Sequence, residues 1–585
     1  MLPGFGANDL YTTQQLMLSE THTFKPTLLN DFRAGYYGYA NPSTDIDHND
    51  PTSVGIQPMN PEPGLPSMTI SGYIPLGRSW NDWKDHIRSY IYADTLSSIV
   101  GPHTFKYGTE IRINQESSWG ILYQGIFTFN GQYTGEPFAD FLLGGPSILL
   151  IGNGPSKVDM RDKNFDFFAQ DDWKVSRRLT LNFGVRYEYN KPVTETLLHQ
   201  VLNFYPQLYQ GAGVNSGLVT GGVTAGVPAA TYYTSWHDFG PRFGFAYAVD
   251  PKLRTVIRGG FGIFYDTASG QITQQQLAQP PYAAQQYLTF APNSPLNGYT
   301  FPPPVDLSHP TVTVPGGNLS IYPIQELMAS PYAEQWNFGI QHQFGNNSSL
   351  EAAYVGTKGT QLFMYTNFNY PRGPNLVRPY DGFSTMMMVE SGLNSDYHSL
   401  QVTAQKRMSH GGTLLVAYTF SKTINESDET GRYYTGATGD PANLFGSKGL
   451  ASVDRPQRLV LSYDLQIPNP FGAGAHGFAR MLNGWEGSGI TTIESGTPFS
   501  VTNALSNLDH DGDAGSPGSG SRADLVYGVR QVNPGPVSSK LADYLNPAAF
   551  SPAPSSRIGT LGKGHDTRSW RKPLGHTDRQ EHPRL

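Results

Sequence analysis

Long stretches of the chain alternate apolar and polar residues with a period of two. The clearest stretch is 178–190, where the alternation holds over 11 residues. A period of two predicts a β-strand, since the apolar residues of a helix recur every three or four positions. About 9–11 residues is also the length that a tilted strand needs to cross a lipid bilayer. The apolar face of this stretch consists of Leu179, Leu181, Phe183, Val185, Tyr187 and Tyr189.

The same alternation recurs along the chain, and many of the predicted strands come in close pairs. The paired segments are 164–175 with 178–190, 241–249 with 255–266, 336–344 with 350–356, and 398–408 with 413–421. Their links are short and polar or glycine-rich, which predicts antiparallel hairpins. Further strand candidates are 105–114, 455–467 and 484–501.

Between the hairpins the connections are long, as in 191–237 and 267–329. Loops of this length are uncommon in compact domains and are usually functional. Short turns at one end and long loops at the other are typical of an outer-membrane β-barrel. A soluble sandwich or propeller also has alternating strands, but soluble strands average ~5–6 residues. The pattern therefore favours an all-β fold, a large antiparallel transmembrane β-barrel with long extracellular loops and a polar lumen.

Composition supports a β-rich chain and excludes several other classes. Of 585 residues, 65 are glycine and 45 proline, 12% are aromatic and only 15% are charged. The absence of cysteine excludes disulfides and thiolate metal sites. A net charge of -7 argues against a nucleic-acid partner. No apolar stretch reaches the ~20 residues of a transmembrane helix.

Eight phrases occur in an order and spacing that resemble the barrel of TonB-dependent outer-membrane transporters of the Oar-like type. The resemblance covers roughly residues 1–564. The phrases are 134–144 (TGEPFADFLLG), 168–175 (FAQDDWKV), 179–188 (LTLNFGVRYE), 241–247 (PRFGFAY), 256–266 (VIRGGFGIFYD), 331–337 (PYAEQWN), 353–359 (AYVGTKG) and 496–500 (GTPFS).

This resemblance implies a barrel of about 22 strands with a plugged lumen in the bacterial outer membrane. It implies energised uptake of a ligand that is too large or too scarce for porins. The expected partners are outer-membrane lipid and, for complete family members, the TonB system. The alternatives are a structural or adhesive outer-membrane barrel without active transport, or a non-functional fragment.

The two ends of the chain depart from the family pattern. Met1 is not followed by the basic and apolar segments of a secretory signal, and residues 1–30 resemble early barrel sequence where the family would place its plug and TonB-contacting segment. We therefore expect Met1 to be an internal methionine and the barrel, at 1–564, to be partial. The basic segment 565–585 does not alternate and cannot form a membrane strand. A frameshift near Gly564 explains this tail, and a divergent tail is the alternative.

The sequence predicts neither a catalytic nor a cofactor site. The HExxH, GxSxG and P-loop motifs of hydrolases, proteases and nucleotide-binding proteins do not occur, so an enzyme is not expected. The glycine-rich segment 259–262 lies in a strand pattern and lacks the helix of a dinucleotide site. Its glycines are better explained by close backbone packing or by room in the lumen.

One weak metal candidate is present. Asp509, Asp511 and Asp513 place carboxylates at alternate positions, as in a calcium loop. Ala514 and Gly520 occupy the positions of the conserved glycine and the bidentate glutamate, so this is not an EF-hand. A calcium site in an exposed loop and a solvated acidic turn both remain open. The tail histidines are irregularly spaced and predict no metal site; they are His565, His576 and His582.

Aromatic residues near strand ends predict interfacial girdles. The pair Asp171 and Asp172 is expected to be a turn or lumen feature without chemistry. The girdle candidates are Trp173, Tyr187, Tyr189, Trp336 and Tyr354.

Overall fold

The structure is a computed structural model. It describes residues 7–46, 49–54, 65–77, 83–119, 123–153, 157–211, 216–267, 273, 276–277, 284–289, 319–369, 377–408, 412–426, 448–466, 476, 485–499, 501, 523–534, 544–552, 561 and 570–571.

Within the described residues, fourteen long strands follow one another in one antiparallel meander. Each strand pairs with the next along the chain. The four predicted hairpins are confirmed as consecutive pairs of this sheet. The strands are β1 (Thr12–Lys25), β2 (Leu28–Asp45), β3 (Trp83–Val100), β4 (His103–Trp119), β5 (Lys157–Lys174), β6 (Leu179–Asn190), β7 (Phe239–Ala248), β8 (Thr255–Tyr265), β9 (Tyr332–Phe344), β10 (Ser348–Asn367), β11 (Phe383–Arg407), β12 (Thr413–Asn425), β13 (Gln457–Gln466) and β14 (Glu486–Ser495).

Short strands extend this sheet at its margins. Ala7–Asp9 pairs with β2, Thr194–Glu195 with β5 and Gly449–Leu450 with β12. Trp570–Arg571 pairs with the end of β14, so two residues of the tail 565–585, which was expected to form no strand, add to the sheet. Leu319–Ile321 runs parallel to the start of β11. These additions lie at strand ends, so the long strands themselves define the architecture.

The connections differ sharply between the two ends of the sheet. At one end, six links are short, namely 26–27, 101–102, 175–178, 249–254, 345–347 and 408–412, and the exception is the longer link 467–485 between β13 and β14. At the other end, the links are long: 46–82, 120–156, 191–238, 266–331, 368–382 and 426–456. The predicted separation of short turns from long loops is thus present.

The long connections carry secondary structure of their own. One loop sheet has four strands, Ser67–Ile70, Tyr123–Phe129, Ile148–Asn153 and Ala284–Thr289, with the helix α1 (Pro137–Leu142) beside it. Smaller pairs join Leu202–Phe204 to Leu218–Thr220 and Tyr233–Thr234 to Leu327–Met328, and, beyond β14, Asp524–Leu525 to Phe550–Ser551. Single 3-10 turns lie at Pro51–Val54, Pro206–Leu208 and Pro547–Ala549. In the described part of the chain, no helix has the length and hydropathy needed to span a membrane.

One short turn is held by a carboxylate. Asp250, between β7 and β8, accepts backbone hydrogen bonds from Lys252 at 2.9 Å, Arg254 at 3.2 Å and Thr255 at 2.5 Å. Desolvation acts to raise the pKa of Asp250, but these hydrogen bonds outweigh it and lower the pKa to about 2. They also favour the turn in which Leu253 adopts a φ of 56°.

We expect Asp250→Ala to lower the urea midpoint of unfolding, because three backbone donors lose their acceptor. Since the folded pKa is depressed, the stabilisation from Asp250 is full above pH ~4 and is lost as the pH falls towards 2. Urea titrations at pH 7 and pH 3 measure both effects. An Asp250→Ala midpoint equal to that of the native chain at pH 7 would show that the turn does not depend on this carboxylate.

Candidate functional site

The two faces of the sheet have the reverse of the burial found in soluble proteins. On β5, Phe167 is 51% exposed, whereas the adjacent Asp166 is 8% exposed. On β6, Phe183 is 41% exposed, whereas the side chain of Arg186 is only 23% exposed. Charged residues are rarely the buried ones in soluble domains. The apolar face therefore suits lipid and the charged face a lumen.

The lipid-facing side continues from strand to strand. Phe183 lies opposite Phe243, Phe243 opposite Phe261, and Phe261 opposite Trp336. The rings of Phe183 and Phe243 are 5.4 Å apart. This row crosses four neighbouring strands, so the exposed aromatic residues form a continuous band.

Aromatic residues mark both margins of this band. At the short-turn end, Trp173 stacks on His103, with ring centroids 5.2 Å apart. At the long-loop end, Tyr189 stacks on Trp236 at 4.1 Å and pairs with Phe165 across the sheet. Trp173 and Phe165 are eight positions apart on β5, or roughly 26 Å along the strand. For strands tilted by ~35–45°, this corresponds to about 20 Å along the membrane normal, slightly less than the ~25 Å apolar band of outer-membrane barrels.

Two of the predicted girdle residues lie within their strands instead. Trp336 is in the same row as Phe183. A Cβ on Gly356 would lie only 2.3 Å from the Trp336 ring, so this ring packs over the glycine. Tyr354 contacts His398 through its hydroxyl at 2.7 Å. Strands β9 and β10 extend beyond the stretches that alternate in sequence, so positions that appear terminal in the sequence are internal.

The lumen face carries a cluster of six charged residues, which we call the lumenal charge cluster. Arg186 donates to Asp166 at 2.6 Å and lies 3.1 Å from Glu188. The guanidinium of Arg112 lies 2.7 Å from Glu110. The cluster holds three cations and three carboxylates, and it links four adjacent strands, β4 to β7. Its members are Glu110, Arg112, Asp166, Arg186, Glu188 and Arg242.

The acidic pair of the QDDW phrase divides between the two faces. Asp172 faces the lumen, where Asn182 donates to it at 2.6 Å. Asp171 faces the lipid side and lies 2.7 Å from the ring nitrogen of His103. Consecutive strand residues point to opposite faces, so the expectation of a turn or lumen feature is wrong for Asp171.

At the long-loop end of the sheet, several long loops pack into one folded unit, which we call the loop cap. It comprises parts of 191–238, 319–331 and 368–382 together with the first half of β11. Nine of its apolar side chains are almost fully buried and form two clusters. They are Ala230, Tyr232, Ile324, Met328 and Val389 in one, and Phe204, Ile321, Phe383 and Met386 in the other.

Buried hydrogen bonds join the segments of the loop cap. Asn203, 2% exposed, donates to the carbonyls of Thr231 at 3.0 Å and Ile324 at 2.8 Å. Its side-chain oxygen accepts from the backbone of Phe204 and Ile324, each at 2.8 Å. The hydroxyl of Tyr205 donates to the Thr231 carbonyl at 2.9 Å, and burial raises the pKa of Tyr205. The cap is thus an ordered structure at the loop end of the barrel.

The predicted calcium candidate cannot be placed. Asp509, Asp511 and Asp513 lie outside the described residues, as do the tail histidines. Among the residues that are described, no three His, Asp or Glu side chains form a group able to hold a metal ion. In the glycine-rich segment 259–262, a Cβ on Gly259 would lie 2.5 Å from the ring of Phe245, so this glycine allows close packing.

Among the solved structures compared, one superimposes closely enough to show the same fold. The outer membrane transporter YddB from Escherichia coli superimposes with a TM-score of 0.51 at 10% identity, over 86% of this chain and 53% of YddB. The siderophore receptor PiuA from Acinetobacter baumannii gives a TM-score of 0.43 at 9% identity, over 84% of this chain and 58% of PiuA. The chain therefore spans about half the length of these proteins.

Sequence comparison gives the family. No curated protein matches the chain in sequence. Residues 1–573 match the family model described as "Outer membrane beta barrel domain". This agrees with the exposed apolar band, the charged lumen face and the fold of YddB. The chain belongs to the outer membrane beta barrel domain family, and its apolar band lies in the bacterial outer membrane.

Proposed function

We propose that this chain forms the barrel of a TonB-dependent outer-membrane transporter that takes up a ligand through its lumen. The observation that carries the proposal is the ordered loop cap above a lumen face lined with charged residues. A captured ligand needs a shaped surface at the entrance and a polar path behind it. The fold of YddB and the Oar-like phrases of the sequence support the same assignment.

One strand belongs both to the loop cap and to the wall of the lumen, which suits a transport path. In β11, Phe383 and Val389 belong to the core of the cap. Further along the same strand, Gln401 faces the lumen beside β10. One strand thus joins the surface that would bind the ligand to the wall along which the ligand would pass.

A structural or adhesive barrel is the second candidate, and one observation favours it. The four-stranded loop sheet and α1 expose a group of large apolar side chains. Such patches often mark sites of protein contact. The group consists of Tyr73, Ile74, Phe138, Leu142 and Leu143, which are 40–70% exposed.

Uptake by cells that express the complete gene separates the two candidates. The probes are a radiolabelled ferric siderophore, a tripeptide mixture and a maltooligosaccharide, each with and without a protonophore. Transport predicts that at least one probe accumulates and that the protonophore abolishes its accumulation. Accumulation of none of them, or accumulation that the protonophore does not change, contradicts energised uptake of these ligand classes.

A further inference from the structure

Basic residues form rows on the lipid-facing side of β3 to β6 at the long-loop end. In one row, Arg88 lies opposite Gln115, and Gln115 opposite Arg161. In the next row towards the short turns, Tyr90 lies opposite Ile113, and Ile113 opposite Lys163. Lys191 adjoins this row, because its backbone N–H donates to the Lys163 carbonyl at 3.0 Å.

These rows lie directly beyond the aromatic margin of the apolar band. The margin is formed by Phe165 and Tyr189, which pair across the sheet. Lys163 is two residues beyond Phe165 and Arg161 is four, or about 7 and 13 Å along the strand. The cations therefore lie at the depth of lipid headgroups, just outside the hydrocarbon.

Charge is segregated between the two faces at this height. Arg88, Lys163 and Lys191 are exposed on the outer side. In the described part of the chain, no carboxylate lies within ion-pair distance of these three; Arg161 is paired with Asp159 at 2.9 Å. The lumen side of the same strands instead carries carboxylates, namely Asp85, Glu116 and Asp162. The outer surface therefore complements an anion.

An aromatic side chain adjoins the cations. Trp236 is 60% exposed, although it stacks on Tyr189 with ring centroids 4.1 Å apart. Tyr189 precedes Lys191 by two residues on the same chain. A flat exposed ring beside ammonium groups suits a sugar that carries phosphate, since the ring contacts the sugar face while the cations bind phosphate oxygens.

We propose that this surface, the basic shelf (Arg88, Lys163, Lys191 and Trp236), binds the phosphorylated sugar headgroup of an anionic glycolipid in the outer leaflet. The shelf lies outside the lumen, so the proposal does not rest on transport. It rests on the exposed apolar band and on the assignment of the long loops to the outside of the cell.

Native mass spectrometry of the full chain in detergent tests the proposal with bisphosphorylated lipid A, dephosphorylated lipid A and phosphatidylglycerol. We expect the native chain to retain bisphosphorylated lipid A preferentially. The triple variant Arg88→Gln/Lys163→Gln/Lys191→Gln should lose affinity for it by about tenfold or more. A matched triple variant at exposed cations of the short-turn end, Lys174→Gln/Arg177→Gln/Lys252→Gln, should bind like the native chain.

The other two lipids and the variant Trp236→Ala distinguish the contact with the phosphate from the contact with the sugar. Trp236→Ala should weaken binding of lipid A and leave that of phosphatidylglycerol unchanged. The phosphate contact is overturned if the native chain binds dephosphorylated lipid A as tightly as bisphosphorylated lipid A. It is also overturned if the Arg88/Lys163/Lys191 variant binds bisphosphorylated lipid A as tightly as the native chain does. Phosphatidylglycerol bound as tightly as lipid A overturns the sugar contact. Heat-dependent electrophoretic mobility confirms in each case that the variant is folded.

Discussion

Replacing Arg186 with methionine should destabilise the barrel by roughly 2–4 kcal/mol, since removal of one partner leaves buried charges uncompensated. Arg186 lies 2.6 Å from Asp166 and 3.1 Å from Glu188, whose side chains are only 11% and 15% exposed. Without Arg186, these neighbouring carboxylates lose their shared cation. Because the Arg186 side chain is 23% exposed, solvent screens part of the charge, and the loss is smaller than for a fully buried pair. Urea titration, followed by heat-dependent mobility, gives the change in the free energy of unfolding.

Arg33→Met is the matched control for this change. Arg33 also pairs with one carboxylate, that of Asp31 at 2.9 Å, but its side chain is 60% exposed. We expect this control to leave the urea midpoint nearly unchanged. Arg186→Lys should recover part of the stability, because it restores the charge without the two-sided guanidinium contact. Equal effects of Arg186→Met and Arg33→Met would contradict a structural role for the lumenal charge cluster.

Replacing Asn203 with alanine should loosen the loop cap while leaving the barrel intact. The change leaves the carbonyl of Ile324 and the backbone N–H groups of Phe204 and Ile324 without their buried partner, whereas the carbonyl of Thr231 keeps the Tyr205 hydroxyl. Each such buried group costs ~1–3 kcal/mol. Hydrogen exchange is therefore expected to rise at least about tenfold in 228–234 and 319–328, and to stay unchanged in β5 and β6.

Asn130→Ala provides the matched control, since Asn130 is exposed and its side chain accepts one hydrogen bond, from Gln132 at 3.1 Å. It should not change exchange in the cap. If Asn203→Ala leaves exchange in both cap segments at the native rate, the loops do not depend on this residue for their order. If exchange rises equally in β5 and β6, cap and barrel unfold as one unit.

The sequence alone could predict the strands in which one face is consistently apolar. Strand β6 alternates from Leu179 to Tyr189, and its pairing with β5 is the one that the hairpin pattern predicts. Strand β2 was missed because tyrosines occupy both of its faces, as at Tyr36 and Tyr37, so its alternation is weak. In β1 the apolar residues Leu16, Met17 and Leu18 are consecutive, so the sequence shows no alternation there.

The candidate site was much less predictable. Core residues of the loop cap, such as Phe204, Ile324 and Val389, come from three distant segments. Loops carry no periodicity, so only the fold shows which of them meet. The lumenal charge cluster was implied only by polar residues at alternate positions. The pairing of Arg186 with Asp166 depends on the register between β5 and β6, which the sequence does not specify.

The central claim is that odd-numbered residues of β6 face lipid and even-numbered residues face a lumen. The chain has no cysteine, so single cysteines at 180–187 can carry spin labels without background. Collisions with oxygen should peak at Leu181, Phe183 and Val185, and collisions with a water-soluble nickel complex at Asn182, Gly184 and Arg186. Accessibility without a period of two, or water on both faces, would contradict a membrane-spanning barrel.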